Sequence, residues 1–285
     1  MRTIFIPIYC LLWLIGFGPY SHAQKITDTT WLDKPHFKIT TKTATYLYDK
    51  AGGGLSSLFD AESNDWIAFN ESGNDEFPAS AAGRFRGLPN FVYGSDNSGA
   101  GHPGFEQCVS QKISDIEILT TSKDGTWQWR WQFSDKHAQV TMEKVDPDHA
   151  YWFLYEGIPG GSFQPKSSYW GTNTRTPTQK APNYVKGDKL YENWDWIYFG
   201  REDTPRVFFI KMQTPDQHSD LFSYLGSTEE GIDADNGMLV FGFGRKNNAI
   251  PLMTATDNTF VLGFYPKQVN SKKQYKKFSK FIKGL

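Results

Sequence analysis

The chain has 285 residues, a formal net charge of −1 and two cysteines, Cys10 and Cys108. Its near-neutral balance excludes a nucleic-acid binder or a general polyanion sponge, both of which need a basic excess. Its length lets it bury roughly 70–75% of its unfolded surface, so a core can form without crosslinks. Aromatic residues reach 16%, with ten Trp, fourteen Tyr and twenty-two Phe, which fits a sheet-rich core, a cleft whose rings stack on sugars, or both.

Met1-Arg2 is followed by an apolar run from Ile4 to Phe17 and then Ser21-His22-Ala23. This predicts a secretory signal peptide over residues 1–23, cleaved after Ala23. The run is too short for a membrane span, and Cys10 lacks the small-residue context of a lipoprotein signal. The mature chain is therefore expected to be secreted or periplasmic, with no integral membrane segment. Cys108 is then the sole cysteine, which rules out an intramolecular disulfide.

Residues 24–285 predict a single all-β domain. His36 to Tyr48 alternates as a half-buried strand and ends at the turn Asp49-Lys50-Ala51-Gly52-Gly53-Gly54. Leu55 to Asp60 predicts a short strand, Glu62-Ser63-Asn64-Asp65 a turn, and Trp66 to Phe69 a further extended piece. The glycine turn followed by GLSSLFDAESNDWIAF, within residues 46–70, resembles the opening of galactose-mutarotase-like, supersandwich carbohydrate proteins. There a strand pair of the form G-G-x-x-S-S-L-x-D begins the domain. The resemblance implies an antiparallel β-sandwich with few short helices.

The stretch Gly83 to Phe105, GRFRGLPNFVYGSDNSGAGHPGF, carries so many glycines and prolines that it predicts an ordered loop. Arg84 and Arg86 offer planar cationic forks suited to a carboxylate or sulfate, Asn90 offers an amide, and His102 can move a proton near neutral pH. For each residue alone a plain role in an ion pair, a turn or a backbone hydrogen bond is at least as good a reading. Together on one glycine-rich loop they form a candidate anion-reading wall.

Gln111 to Thr121 and Thr126 to Phe133 predict a hairpin across Ser122-Lys123-Asp124-Gly125. In its second strand Trp127, Trp129, Trp131 and Phe133 share one face, expected to be core. Val140 to Val145 and Ala150 to Glu156 form the next pair, which brings Tyr155 and Glu156 to the glycine-rich exit at Gly157. Residues 162–205 lack periodicity but hold Trp170, Arg175, Trp194, Asp195 and Tyr198, and predict an elaborated loop over the site with a short strand at Trp194 to Phe199. Strands follow at Arg206–Met212, Phe222–Tyr224, Met238–Gly244 and Phe260–Tyr265. Residues 270–285 predict a lysine-rich terminal helix docked by Phe278 and Phe281.

No phosphate-binding glycine loop, HExxH, CxxC or G-x-S-x-G is present. No cofactor is required. A divalent cation has no ligand spacing behind it, although His102 could join His137, His149 or His218 in space. The remaining chemistry is acid–base work beside arginine, which suits elimination across C4–C5 of a uronic acid. In that reading Arg86, with Arg84 or Asn90, neutralises the carboxylate, His102 and Tyr155 are the acid–base pair, and Glu156, Trp170, Arg175, Trp194, Asp195 and Tyr198 contact an acidic oligosaccharide or polysaccharide. Alanine at Arg86 or His102 is then expected to remove turnover at little cost in stability.

The whole chain is also similar to exported lyase-like or dehydratase-like enzymes of polysaccharide-degrading bacteria, acting on uronate oligosaccharides such as those from ulvan. That resemblance implies a carbon–oxygen lyase. Two other classes stay open: a non-catalytic carbohydrate-binding module, and a glycoside hydrolase in which Glu156 and Asp195 face each other.

Overall fold

The structure, a computed structural model, describes residues 25–72, 84–184, 187–226 and 237–285. The expected signal peptide lies outside the described residues. The strands are β1 (Lys25–Trp31), β2 (Lys34–Thr40), β3 (Ala44–Asp49), β4 (Gly54–Asp60), β5 (Gly87–Asn90), β6 (Cys108–Lys112), β7 (Glu117–Ser122), β8 (Gln128–Phe133), β9 (His137–Lys144) and β10 (Phe153–Gly157). They continue as β11 (Ser168–Thr172), β12 (Leu190–Glu192), β13 (Trp196–Arg201), β14 (Val207–Met212), β15 (Asp220–Leu225), β16 (Met238–Phe243), the short β17 (Arg245–Lys246) and β18 (Ile250–Pro251), and β19 (Thr259–Tyr265), before the helix α1 (Lys272–Lys283).

Two large antiparallel sheets result. One has nine strands in the order β1-β2-β3-β4-β5-β10-β16-β15-β12, the other eight in the order β11-β13-β14-β19-β9-β8-β7-β6. They pack face to face as a sandwich because alternate residues of each present large rings to the other. Tyr48 meets Trp131 with centroids 6.0 Å apart, Tyr46 meets Phe133 at 5.2 Å, and Tyr155 meets Phe208 at 5.1 Å. Trp127, Trp129, Trp131 and Phe133 are all buried, as their period-2 spacing predicts. The β7–β8 hairpin closes at Gly125, whose φ of 77° suits glycine.

Several boundaries differ from the sequence reading. The single strand expected over His36–Tyr48 is two, β2 and β3, turned at Thr41, whose hydroxyl donates to Ala44 O. Gln111–Thr121 likewise divides into β6 and β7. Trp66–Phe69 is not a strand. Trp66 is instead pinned beneath the sheet by its indole, which donates to Asp60 Oδ2 at 3.0 Å. The elaborated loop expected over 162–205 contains β11, β12 and β13. Every residue of β11 and β13 is buried, so neither shows the polar alternation that marks a strand.

The terminal helix forms, with Ser271 as N-cap. Its buried residues are Phe278 and Ile282, while Phe281 packs half-buried on Tyr265 with centroids 5.0 Å apart. The helix covers the outer face of the eight-stranded sheet through Trp196, Tyr198 and Phe209. Among the described residues, the loop after β5 lies on the outer face of the nine-stranded sheet. Among the described residues no helix is long and apolar enough to cross a membrane.

Candidate functional site

Strand β10 sets the site, because its alternation divides two chemistries between two faces. Phe153 and Tyr155 point into the sandwich, where Phe153 stacks on Phe260 at 4.4 Å. Leu154 and Glu156 therefore point to the outer face. On that face Glu156 is in register with Gly87 and Val240, and Leu154 with Asn90 and Gly242.

The loop after β5 folds back over this face. A Cβ placed on Gly87 would lie 2.6 Å from Pro103 Cδ and 3.1 Å from His102 Nε2, so the close approach requires glycine there. His102 is held by two contacts. Its Nδ1 lies 2.7 Å from Pro103 O and its Nε2 lies 3.2 Å from Glu156 Oε2. A carbonyl only accepts, so Nδ1 carries a hydrogen and donates to it. A hydrogen bond between Nε2 and Oε2 then needs one proton, carried by the ring or by the carboxyl. Both side chains are buried, and in such a setting a proton and the charges around it interact more strongly than in water.

Arg86 belongs to the same cluster. Burial lowers its guanidinium from the ordinary value, and the charge of Glu156 pulls in the other direction. Its Nη1 donates to Ala68 O at 3.4 Å, and its φ is 62°. Arg84 is partly buried, with its guanidinium 5.5 Å from the Phe85 ring centroid.

Asn90 sits in β5 and not in a loop. It is buried, and among the described residues neither its Nδ2 nor its Oδ1 has a hydrogen-bond partner. Across Leu154, the buried Arg245 has no partner for Nε and Nη1 among the described residues, and its guanidinium lies 5.1 Å from the Trp152 ring centroid. Sequence reading missed Arg245 and Trp152. The run Phe241-Gly242-Phe243-Gly244-Arg245, an arginine leaving a glycine-interrupted strand, was the signal available for the former.

The other expected site residues lie elsewhere. Tyr155 is on the opposite face of β10 from Glu156, and its hydroxyl donates to Trp66 O within the core. Burial holds that hydroxyl well above the ordinary tyrosine range, so it is not poised to exchange a proton with His102. Trp170 packs on Phe222 at 4.4 Å, and Arg175 pairs with Glu192 at 2.6 Å. Both line a recess of about 40 Å³ beside Lys180 and Leu190. Trp194 is buried against Phe241, and its indole donates to Glu192 Oε2. Tyr198 is buried beneath α1 and donates to Val269 O. Asp195 precedes β13, where its charge acts on Lys211, whereas Glu156 lies in the other sheet and engages His102. The paired carboxylates of a glycosidase are therefore not assembled from these two residues.

His102 does not join the other histidines, since its ring nitrogens face Pro103 and Glu156. His149 instead contacts Asp146 at 2.9 Å. Among the described residues no cluster of three or more His, Cys, Asp or Glu side chains could hold a metal ion.

Asp220 anchors the exit of β16 that carries Arg245. Its Oδ1 accepts from Gly244 N at 2.9 Å and its Oδ2 from Trp194 N at 2.8 Å. Burial raises its carboxyl from the ordinary 3.8 to about 8. The folded state thus keeps a proton that the unfolded chain releases, so this group's stabilisation is complete below about pH 4 and is lost as pH rises to about 8. The melting temperature of the wild type is expected to fall between pH 5 and pH 8 more steeply than that of Asp220→Asn. Parallel slopes in thermal scans of the two proteins would show that Asp220 is ionised in the fold.

No known protein family's sequence profile matches the chain, and no curated protein does. Solved structures do. The protein YeaD from Salmonella typhimurium superposes with a TM-score of 0.54 at 9% identity, over 86% of this chain and 94% of that one. A galactose mutarotase-like protein from Lactobacillus casei gives a TM-score of 0.51 at 10% identity, over 80% of this chain and 99% of that one. The chain has the galactose-mutarotase-like β-sandwich fold. At these identities the likeness is one of fold, and the chemistry must be argued from the site.

Proposed function

We propose that this protein is a carbohydrate-active enzyme that acts on acidic oligosaccharides and eliminates across C4–C5 of a uronic acid. The observation that carries this reading is the buried contact between His102 Nε2 and Glu156 Oε2 at 3.2 Å, with Arg86 close to Glu156. The fold supports a sugar ligand, since one structural neighbour is described as galactose mutarotase-like. A buried arginine on that face, Arg245, favours an anionic sugar over a neutral one.

The chain's own groups would divide the reaction as follows. Arginine neutralises the carboxylate, which acidifies the C5 hydrogen. The His102–Glu156 pair takes that proton as the C5–H bond breaks, and the electron pair forms the C4–C5 double bond as the C4–O bond breaks. With Tyr155 turned into the core, the same pair returns a proton to the departing oxygen. One dyad serving as both base and acid requires the hydrogen and the leaving group to lie on the same side of the ring. A glycosidic oxygen leaving makes the protein a lyase, and a hydroxyl leaving makes it a dehydratase.

The test is ultraviolet absorbance of the conjugated unsaturated uronate during incubation with uronate oligosaccharides, followed by mass spectrometry. A rising signal with a split chain identifies a lyase, and a product lighter by one water identifies a dehydratase. Binding without any absorbance change would sink the elimination reaction and favour a carbohydrate-binding module.

A further inference from the structure

Arg245 is a buried cation with no counter-charge among the described residues. Among the described residues it forms no ion pair, its Nε and Nη1 are unpartnered, and its guanidinium lies over the face of Trp152. Burying a charge in this way is costly unless something pairs with it. The surroundings nonetheless hold it in place. Gly242 has no side chain, and a Cβ there would come within 3.3 Å of Arg245 Cβ and Cδ, so the stem lies flat on the sheet. Trp152, beneath the guanidinium, is itself stacked with Tyr93 at 4.8 Å and 24°.

On the other side of Leu154, Asn90 presents an equally unpartnered amide. An orphaned cation fixed over an aromatic stack and an orphaned amide flank the same outer-face strand as Glu156. Buried polar groups are normally satisfied, so two such groups at one place indicate a missing partner.

We infer that Arg245, oriented by Trp152, receives the carboxylate of the bound sugar, and that Asn90 bonds an oxygen of the same sugar unit. Arg245 then sets the preference for acidic over neutral sugars, while Arg86 serves the charge of Glu156. This rests on the reading of the face as a site for acidic sugars.

The test uses methyl β-D-glucuronide and methyl β-D-glucoside, which differ only at C6, titrated into the full-length mature protein and followed by ligand-observed NMR. The wild type is expected to bind the glucuronide at least about tenfold more tightly, the factor commanded by one charge-assisted hydrogen bond. Arg245→Gln should erase that preference and leave glucoside binding unchanged. Its melting temperature should hold or rise, because a buried uncompensated charge is removed. Asn90→Ala should weaken the glucuronide several-fold. Trp152→Leu should reduce the preference while glucoside binding persists.

Arg245→Lys keeps the charge and loses the planar fork, so it should retain a reduced preference, and it decides the matter if the glutamine variant fails to fold. A wild type indifferent to the carboxylate, or a preference that survives in Arg245→Gln or is undiminished in Arg245→Lys, overturns the assignment. A preference that depends on Arg245 in a protein that forms no unsaturated product would keep the subsite and sink the elimination reaction. Elimination with wild-type KM in Arg245→Gln would do the reverse.

Discussion

Glu156→Gln is expected to lower turnover of uronate oligosaccharides by about 100- to 10,000-fold, the range for loss of a positioned proton-transfer group, while the melting temperature stays near that of the wild type. The amide is nearly isosteric with the carboxyl. Its NH2 can donate to His102 Nε2, and Nδ1 still donates to Pro103 O. Every hydrogen bond survives, but no proton can move. His102→Ala is a poorer probe, contrary to the expectation formed from sequence, because it takes away the partner of Glu156 Oε2, on a residue that is 1% exposed, and leaves a cavity. That variant should cost about 3–5 kcal/mol of stability, and its inactivity could not be read as chemistry. Paired kcat measurements and thermal scans of both variants check this. An active glutamine variant would assign the dyad to structure alone.

The contrast between those variants shows what the sequence could reveal about the site. Arg86, Asn90, His102 and Glu156 were legible as candidates because glycine and proline marked ordered segments, and the structure brings Asn90, His102 and Glu156 to one outer face with Arg86 close to Glu156. Their burial was not legible, since it depends on the loop after β5 folding onto Gly87, a contact between segments with no local pattern. Tyr155 misled for a simpler reason: adjacent strand residues face opposite sides, so Tyr155 and Glu156 could not share a site. Arg245 escaped notice because what isolates it, the register of Gly242 with Leu154, joins positions about ninety residues apart. Trp170, Trp194 and Tyr198 were aromatic in an aperiodic stretch, and composition alone does not tell a ring in a cleft from a ring in the core.

Period-2 spacing did place the tryptophans of β8, and it allows a sharper prediction among them. Trp129→Ala is expected to destabilise the fold by about 3–5 kcal/mol through the cavity it leaves, measured by denaturant titration. Phenylalanine substitutions should then separate three rings that are all fully buried. Trp129 Nε1 donates to Gly53 O at 3.1 Å, whereas the indole nitrogens of Trp127 and Trp131 have no partner among the described residues. Trp129→Phe loses ring volume and leaves a buried carbonyl with one bond fewer. At positions 127 and 131 the same change loses volume but removes an unsatisfied donor. The Trp129 variant should therefore be the least stable of the three by about 1 kcal/mol or more. The consequence reaches the site, because Gly53 O also accepts from Tyr48 Oη and belongs to the turn whose Gly52 O accepts from Gly101 N, beside His102. If the three phenylalanine variants proved equally stable, Trp129 would act by volume alone, and the link from the β8 core to the loop carrying His102 would be lost.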